Sequence, residues 1–155
     1  MNFLSYALWK MKLSTHTDYG LRVLMQVCAA PEGVRITIDD VATGYGISRS
    51  HLTKVVQNLG VHGFLQNTRG RSGGLQLARA AEDISLGEVV RALEATQALV
   101  ECHQQDGQCV VAPACGLKHV LLRAQHAFFA VLDEYTLQDL VRAPKPFFRL
   151  LRSTG

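Results

Sequence analysis

The chain has 155 residues, 48% apolar and 19% charged, enough for one domain or two small ones and unlike a disordered chain, a collagen or a large multidomain enzyme. Sixteen Lys and Arg against thirteen Asp and Glu give only +3, a balance that does not by itself announce a polyanion partner. The charge is segregated, however: Val41 to Ala81 contains Arg49, Lys54, Arg69, Arg71 and Arg79 with no acid, so this stretch carries +5 and the remainder −2. No segment approaches the ~18 uninterrupted apolar residues of a membrane span. The opening Met1 to Lys10 lacks the basic n-region and cleavage site of a signal peptide, so a cytoplasmic chain with no membrane partner is expected, with residues 1–10 as an extension.

Asp18 to Ala30 reads as a first helix, with Leu21, Leu24, Val27 and Cys28 at helical spacing and Pro31 and Gly33 ending it. Cys28 falls on the buried stripe, where a free thiol behaves as a small hydrophobe. Thr37 and Asp40 form a variant capping box for a short second helix, which Gly44-Tyr45-Gly46-Ile47 breaks. Ser48 caps a third, with Leu52, Val55, Val56 and Leu59 inward and Arg49, Ser50, His51, Thr53, Lys54, Gln57 and Asn58 on an acid-free opposite face. Two helices joined by a Gly-containing turn, the second basic and amide-bearing, have the form of a helix-turn-helix. Arg and Lys suit guanine edges or phosphates, and Gln and Asn suit adenine.

Phe64–Asn67 and Leu75–Ala78 read as strands around a Gly-rich tip bearing Arg69 and Arg71, a wing whose cations can meet phosphate or a narrow minor groove. Ser85 and Glu88 predict a capping box, with Ile84 and Val89 as a staple, for a helix running to about Leu99. Pro113 marks a further start, after which Leu117, Leu121, Ala124, Phe128, Val131 and Tyr135 make a short heptad seam, suited either to packing on its own domain or to dimerisation. Thr136 can begin one more helical turn, and Pro144 and Pro146 open a tail without an assigned element. The predicted architecture is mainly α with a small β-hairpin wing: a winged helix-turn-helix over 11–84, a cysteine loop and long dimerisation helix over 85–140, and a tail over 141–155.

Cys102, Cys109 and Cys115 sit in a polar connector between helices. Their gaps lack the paired C-x2-C of a structural zinc site and the C-x-x-C of a dithiol. They suit an iron-sulfur cluster, either 2Fe-2S or 4Fe-4S. Zinc on three Cys with His103 or His119, and a regulatory disulfide, are the other readings of the same spacing. No G-x-G-x-x-G follows a strand, which argues against a nucleotide-dependent enzyme.

Taken together, Met11–Arg22, the helix-turn-helix with Gly46–Val56, the Arg69–Leu75 wing, the Leu86–Val90 helix start and the Tyr135–Leu140 ending resemble the nitric-oxide-sensing members of the bacterial winged-helix, iron-sulfur regulator family. The resemblance runs from Met11 to about Leu151. It implies a homodimeric repressor of nitrosative-stress genes that binds a double-stranded DNA operator, with nitric oxide as effector. It further implies an iron-sulfur cluster on Cys102, Cys109 and Cys115, with Asp18 of the other subunit as fourth ligand. Iron-sulfur-status regulators of the same family use a His three residues after the third Cys; Lys118 stands there, with His119 one step later. A status regulator and a zinc-stabilised DNA-binding module remain the alternatives. Arg49, Ser50, His51, Lys54, Arg69 and Arg71 are the expected DNA contacts.

Overall fold

The computed structural model describes residues 12–68, 73–94 and 109–152. Helix α1 spans Thr15–Ala29, starting earlier than the apolar spacing predicts. Ser14 accounts for the difference: its Oγ accepts the Thr17 backbone N–H at 3.2 Å, and the two hydroxyls pair at 3.0 Å with Thr17 wholly buried. The polar stretch before Asp18 is therefore cap and first turn. Ala30 is extended ahead of Pro31, which closes the helix.

Helix α2 (Ile38–Tyr45) opens on the expected box, Thr37 donating to the Asp40 carboxylate at 2.7 Å and receiving the Asp40 N–H at 3.2 Å. Gly46 closes it at φ 64°, a left-handed conformation that favours glycine. Helix α3 (Arg49–Val61) starts at Ser48 and buries Leu52, Val55, Val56 and Leu59, as the spacing predicts. Strands β1 (Leu65–Thr68) and β2 (Gly74–Leu77) pair antiparallel, Leu65 opposite Leu77 and Thr68 opposite Gly74. β1 lies one residue later and β2 one residue earlier than the pattern predicts, and Phe64, just before β1, is buried in the core. The Leu75 N–H also donates to the Ile36 carbonyl at 2.7 Å, which anchors the hairpin to the segment before α2.

Helix α4 spans Leu86–Leu93, and two expectations about it need correction. Glu88 does not complete a capping box with Ser85; its carboxylate takes Arg79 at 2.9 Å, and the helix start is held by the Leu86 N–H on the Tyr135 carbonyl and the Leu137 N–H on the Ile84 carbonyl, both at 2.9 Å. The helix stops at Leu93 instead of continuing toward Leu99, since Glu94 turns extended and its carboxylate accepts the Ser14 N–H at 2.8 Å. Helix α5 (Gly116–Asp133) begins after a short 3-10 turn at Ala112–Ala114, with Cys115 as its cap residue, later than Pro113 suggests. Helix α6 (Leu137–Leu140) has a complete Thr136–Asp139 box. The tail is also helical, as α7 (Pro144–Arg152).

One core joins these elements. Val23 and Leu24 of α1, Leu52, Val55 and Leu59 of α3, Phe64, Val89 and Leu93 of α4, Leu137, Val141 and Phe148 belong to a single buried cluster that crosses position 84. A Cβ at Gly20 would overlap Leu93, so glycine there lets α1 close on α4. Each fully buried aliphatic side chain contributes about 1.5–3 kcal/mol, against about 0–1 kcal/mol for an exposed ion pair. Apolar packing therefore fixes the helix-turn-helix on α4.

Candidate nucleic-acid interface and cysteine connector

The outer face of α3 is set by its cap. Ser48 Oγ accepts the His51 N–H at 3.3 Å and pairs with the Ser50 hydroxyl at 3.1 Å, while Thr53 Oγ1 donates to the Arg49 carbonyl at 2.9 Å. No acid occupies the first turn of α3, where a cation such as Arg49 meets the unfavourable positive end of the helix dipole. Asp39 of α2 compensates, accepting Arg49 Nε at 2.6 Å with both side chains 67% exposed. The sequence holds no local sign of this pairing, because Asp39 reads as a first-turn acid of α2.

His51, Lys54 and Gln57 follow on the same exposed face, and their side chains make no hydrogen bond or ion pair with other described residues. They form a row three residues apart that can reach bases or phosphates. Asn58 is different: half-buried, it bonds His16 across α1 at 3.0 Å and so belongs to the packing of α3, not to its outer face. The expected contacts Arg69 and Arg71, between β1 and β2 in sequence, lie outside the described residues.

The second group of expected residues is spread over α1 and the connector. Asp18 sits in the first turn of α1, and its carboxylate binds Arg22 at 3.0 Å, the side chains 46% and 42% exposed. The Arg22 guanidinium in turn lies over the Tyr45 ring of α2 at 5.4 Å. Burial pushes the Tyr45 hydroxyl up to about 12, against the opposing charge of Arg22. Cys109 is exposed, and Cys115, half-buried at the start of α5, makes no side-chain cap bond. Cys102 and His103 lie outside the described residues. Among the described residues no three His, Cys, Asp or Glu side chains gather into a metal site, and His119 is exposed on α5. Cys28 packs against the core, where burial raises its thiol, in keeping with a structural role.

On α5, Phe129 is the buried residue, stacked under Arg91 of α4 at 4.4 Å. Arg91 also makes two bonds to Asp133, at 2.7 and 2.6 Å. The other side is apolar and open: Leu117 is 62% exposed, Val120 61%, Val131 54%, Tyr135 39% and Phe128 38%. Four of these five belong to the predicted heptad seam.

Residues 13–143 match the Rrf2 family, described as an iron-dependent transcriptional regulator. The chain belongs to the Rrf2 family. Within it, the HTH-type transcriptional regulator NsrR of Bacillus subtilis is 46% identical over 92% of this chain and 98% of its own length. The NsrR regulator of Bacillus licheniformis is 46% identical over 84% and 92%. Among solved structures, CymR, the global cysteine regulator of B. subtilis, superposes with a TM-score of 0.68 at 25% identity, covering 85% of this chain and 97% of CymR. IscR of T. potens gives a TM-score of 0.68 at 25% identity, covering 86% and 88%. As a Rrf2 protein of NsrR type, the chain is a DNA-binding transcriptional regulator and not an enzyme. No helix among its described residues is long and apolar enough to cross a membrane.

Proposed function

We propose that the chain is a homodimeric repressor of nitrosative-stress genes that acts in the cytoplasm, reads its operator through α3 and the wing, and is released by nitric oxide. In this reading Arg49, Ser50, His51, Lys54, Arg69 and Arg71 contact DNA. Cys102, Cys109 and Cys115 hold an iron-sulfur cluster together with Asp18 of the other subunit. The observation that supports it most is that the Asp18 side chain on α1 is 46% exposed and Cys109 in the connector is exposed, so that donors from both regions are open to a second chain.

The donors suit the group. Thiols are soft ligands for iron, Cys109 and Cys115 are free of disulfide, and the α5 N-terminus beside Cys115 favours an anionic assembly there. Once bound, the cluster would supply an iron open to nitric oxide, since an oxygen ligand leaves more readily than a thiolate.

The chain's own residues would carry the signal. Asp18 has two partners to choose between, the metal site and Arg22. Were the carboxylate to hold the group, Arg22 would lose its ion pair and keep its stacking on Tyr45 of α2, so the Asp18–Arg22 pair within α1 would report the state of the site to the α1–α2 contact. The two α3 helices must stay about 34 Å apart to use both half-sites, so a small change between α1 and the partner's connector suffices to weaken binding. The exposed α5 seam would supply the dimer contact.

Anaerobic purification followed by nitric-oxide titration tests this. A brown protein with iron and acid-labile sulfide whose operator complex dissociates on nitric oxide is the expected result. A colourless zinc protein overturns the cluster. An operator complex that ignores nitric oxide but follows cluster loading assigns the chain to iron-sulfur status sensing.

A further inference from the structure

We propose that α7 carries a second DNA contact, a basic stripe that meets phosphates flanking the site read by α3. Its apolar side is engaged: Phe148 is 9% exposed in the core, Phe147 packs against it, and Leu151 sits on Gly44 of α2, where an added Cβ would lie 3.4 Å from the Leu151 carbonyl oxygen. The other side holds Lys145, Arg149 and Arg152, all exposed and spaced four and three apart, hence on one face, and the exposed Arg142 stands two residues before the helix begins. No acid lies between Arg142 and Arg152. Lys145, Arg149 and Arg152 form no ion pair or side-chain hydrogen bond with other described residues, and Arg142 donates only to the Asp139 carbonyl, at 3.3 Å.

Three like charges on one nine-residue helix, with Arg142 just ahead of it, repel unless an anion meets them. The helix dipole accounts for Arg149 and Arg152 in the last turn, but it opposes Arg142 and Lys145 at the other end. The position of α7 names the anion. Its last turn lies against Gly44, beside the turn that leads from α2 into α3, and the first helix of a helix-turn-helix crosses the DNA backbone. A cationic helix packed on α1 and α2 is held beside the element that crosses the backbone, within the field of a duplex that offers about one phosphate charge per 1.7 Å of axis. The contact would add affinity and orientation without reading sequence.

The inference rests on the DNA-binding reading of α3, so its test separates the two. Wild-type protein, purified with its cofactor, selects a duplex from a random pool. Binding is then measured by anisotropy on the minimal site and on the same site extended by about 10 base pairs per side, across a salt series. The variant replaces Lys145, Arg149 and Arg152 by Gln, exposed positions whose change should leave the circular dichroism spectrum intact. The expected result is a loss of about tenfold or more on the extended duplex, little change on the minimal one, and a log–log salt slope flattened by about 2 or more, since each lost phosphate contact removes ~0.9. Unchanged affinity and slope on the extended duplex overturn the proposal, and they do so in favour of a membrane surface if the variant instead loses binding to phosphatidylglycerol vesicles. Lys54→Ala serves as the parallel control. If it weakens binding while the α7 variant does not, only α7 is misassigned; if wild-type protein selects no duplex, the reading of α3 fails as well.

Discussion

The backbone N–H of Ser14 donates to the Glu94 carboxylate at 2.8 Å, joining the cap of α1 to the residue that follows α4. Ser14 caps the helix bearing Asp18, and Glu94 leads into the segment that contains Cys102. One hydrogen bond therefore links the proposed carboxylate ligand to the proposed thiolate connector of the same chain.

That link predicts a graded pair of variants. Glu94→Ala leaves the Ser14 N–H without its partner and should cost about 1–2 kcal/mol, the range for a part-buried bond to a charged acceptor, whereas Glu94→Gln keeps an acceptor oxygen. Thermal unfolding should place Gln between wild type and Ala, with the Ala midpoint lower by about 2–6 °C. Equal midpoints for all three proteins would show that the contact contributes nothing.

Arg91 and Asp133 give a pH prediction. The Arg91 guanidinium, bonded to both carboxylate oxygens, holds Asp133 below the ordinary carboxylate range. A depressed folded value means that the contribution is complete above the unfolded value, about 3.9, and is lost as pH falls through the lower folded one. Asp133→Asn should accordingly be less stable than wild type at pH 7 in urea titrations, with the difference shrinking below about pH 4. A difference that stays constant down to pH 2 contradicts the pairing.

Where local chemistry decides, the sequence is legible. Thr37 with Asp40, Ser48 with its following turn, and the Leu52–Leu59 spacing need only neighbouring residues, and each is found where the pattern puts it. The Ser85–Glu88 box fails because Arg79 competes for the carboxylate, and α4 ends early because Ser14, distant in sequence, captures Glu94. Helix α7 is obscured by Pro144 and Pro146, which read as breaks; a proline at the first helical position is in fact favourable, and Phe147 and Phe148 acquire a partner only once α1 and α2 are packed. The cysteines announce soft-ligand chemistry by type and clustering, but the proposed donor set, divided between two chains, would have no local signature. The Arg49–Asp39 pair is hidden for the same reason: its partners meet through the packing of α2 on α3.

Tyr45 supplies a prediction at alkaline pH. Burial raises its hydroxyl to about 12, from an ordinary value near 10. A raised folded value gives stability that is complete below pH 10 and declines as pH rises toward 12, because the unfolded chain ionises first. The slope for one proton is at most about 1.4 kcal/mol per pH unit. Tyr45→Phe should remove that part of the decline in denaturant titrations between about pH 10 and 12, the interval between the unfolded and folded values. An unaltered slope would place the Tyr45 hydroxyl in water.

The open face of α5 yields the last prediction. Leu117, Val120, Phe128, Val131 and Tyr135 expose apolar surface along one side, while Phe129 and Arg91 hold the other side to α4. A seam of this kind is stable only when covered, and a second copy presents the same residues to it. Phe128→Glu combined with Val131→Glu places like charges across that contact without touching the core. Sedimentation should show wild type as a dimer and the double variant as a folded monomer. Operator affinity should fall by about 100-fold or more, the penalty when two half-sites are no longer engaged by linked heads. Gln138→Glu, exposed on α6, controls for added charge and should leave both measurements unchanged. A double variant that remains dimeric at micromolar concentration would move the interface away from α5.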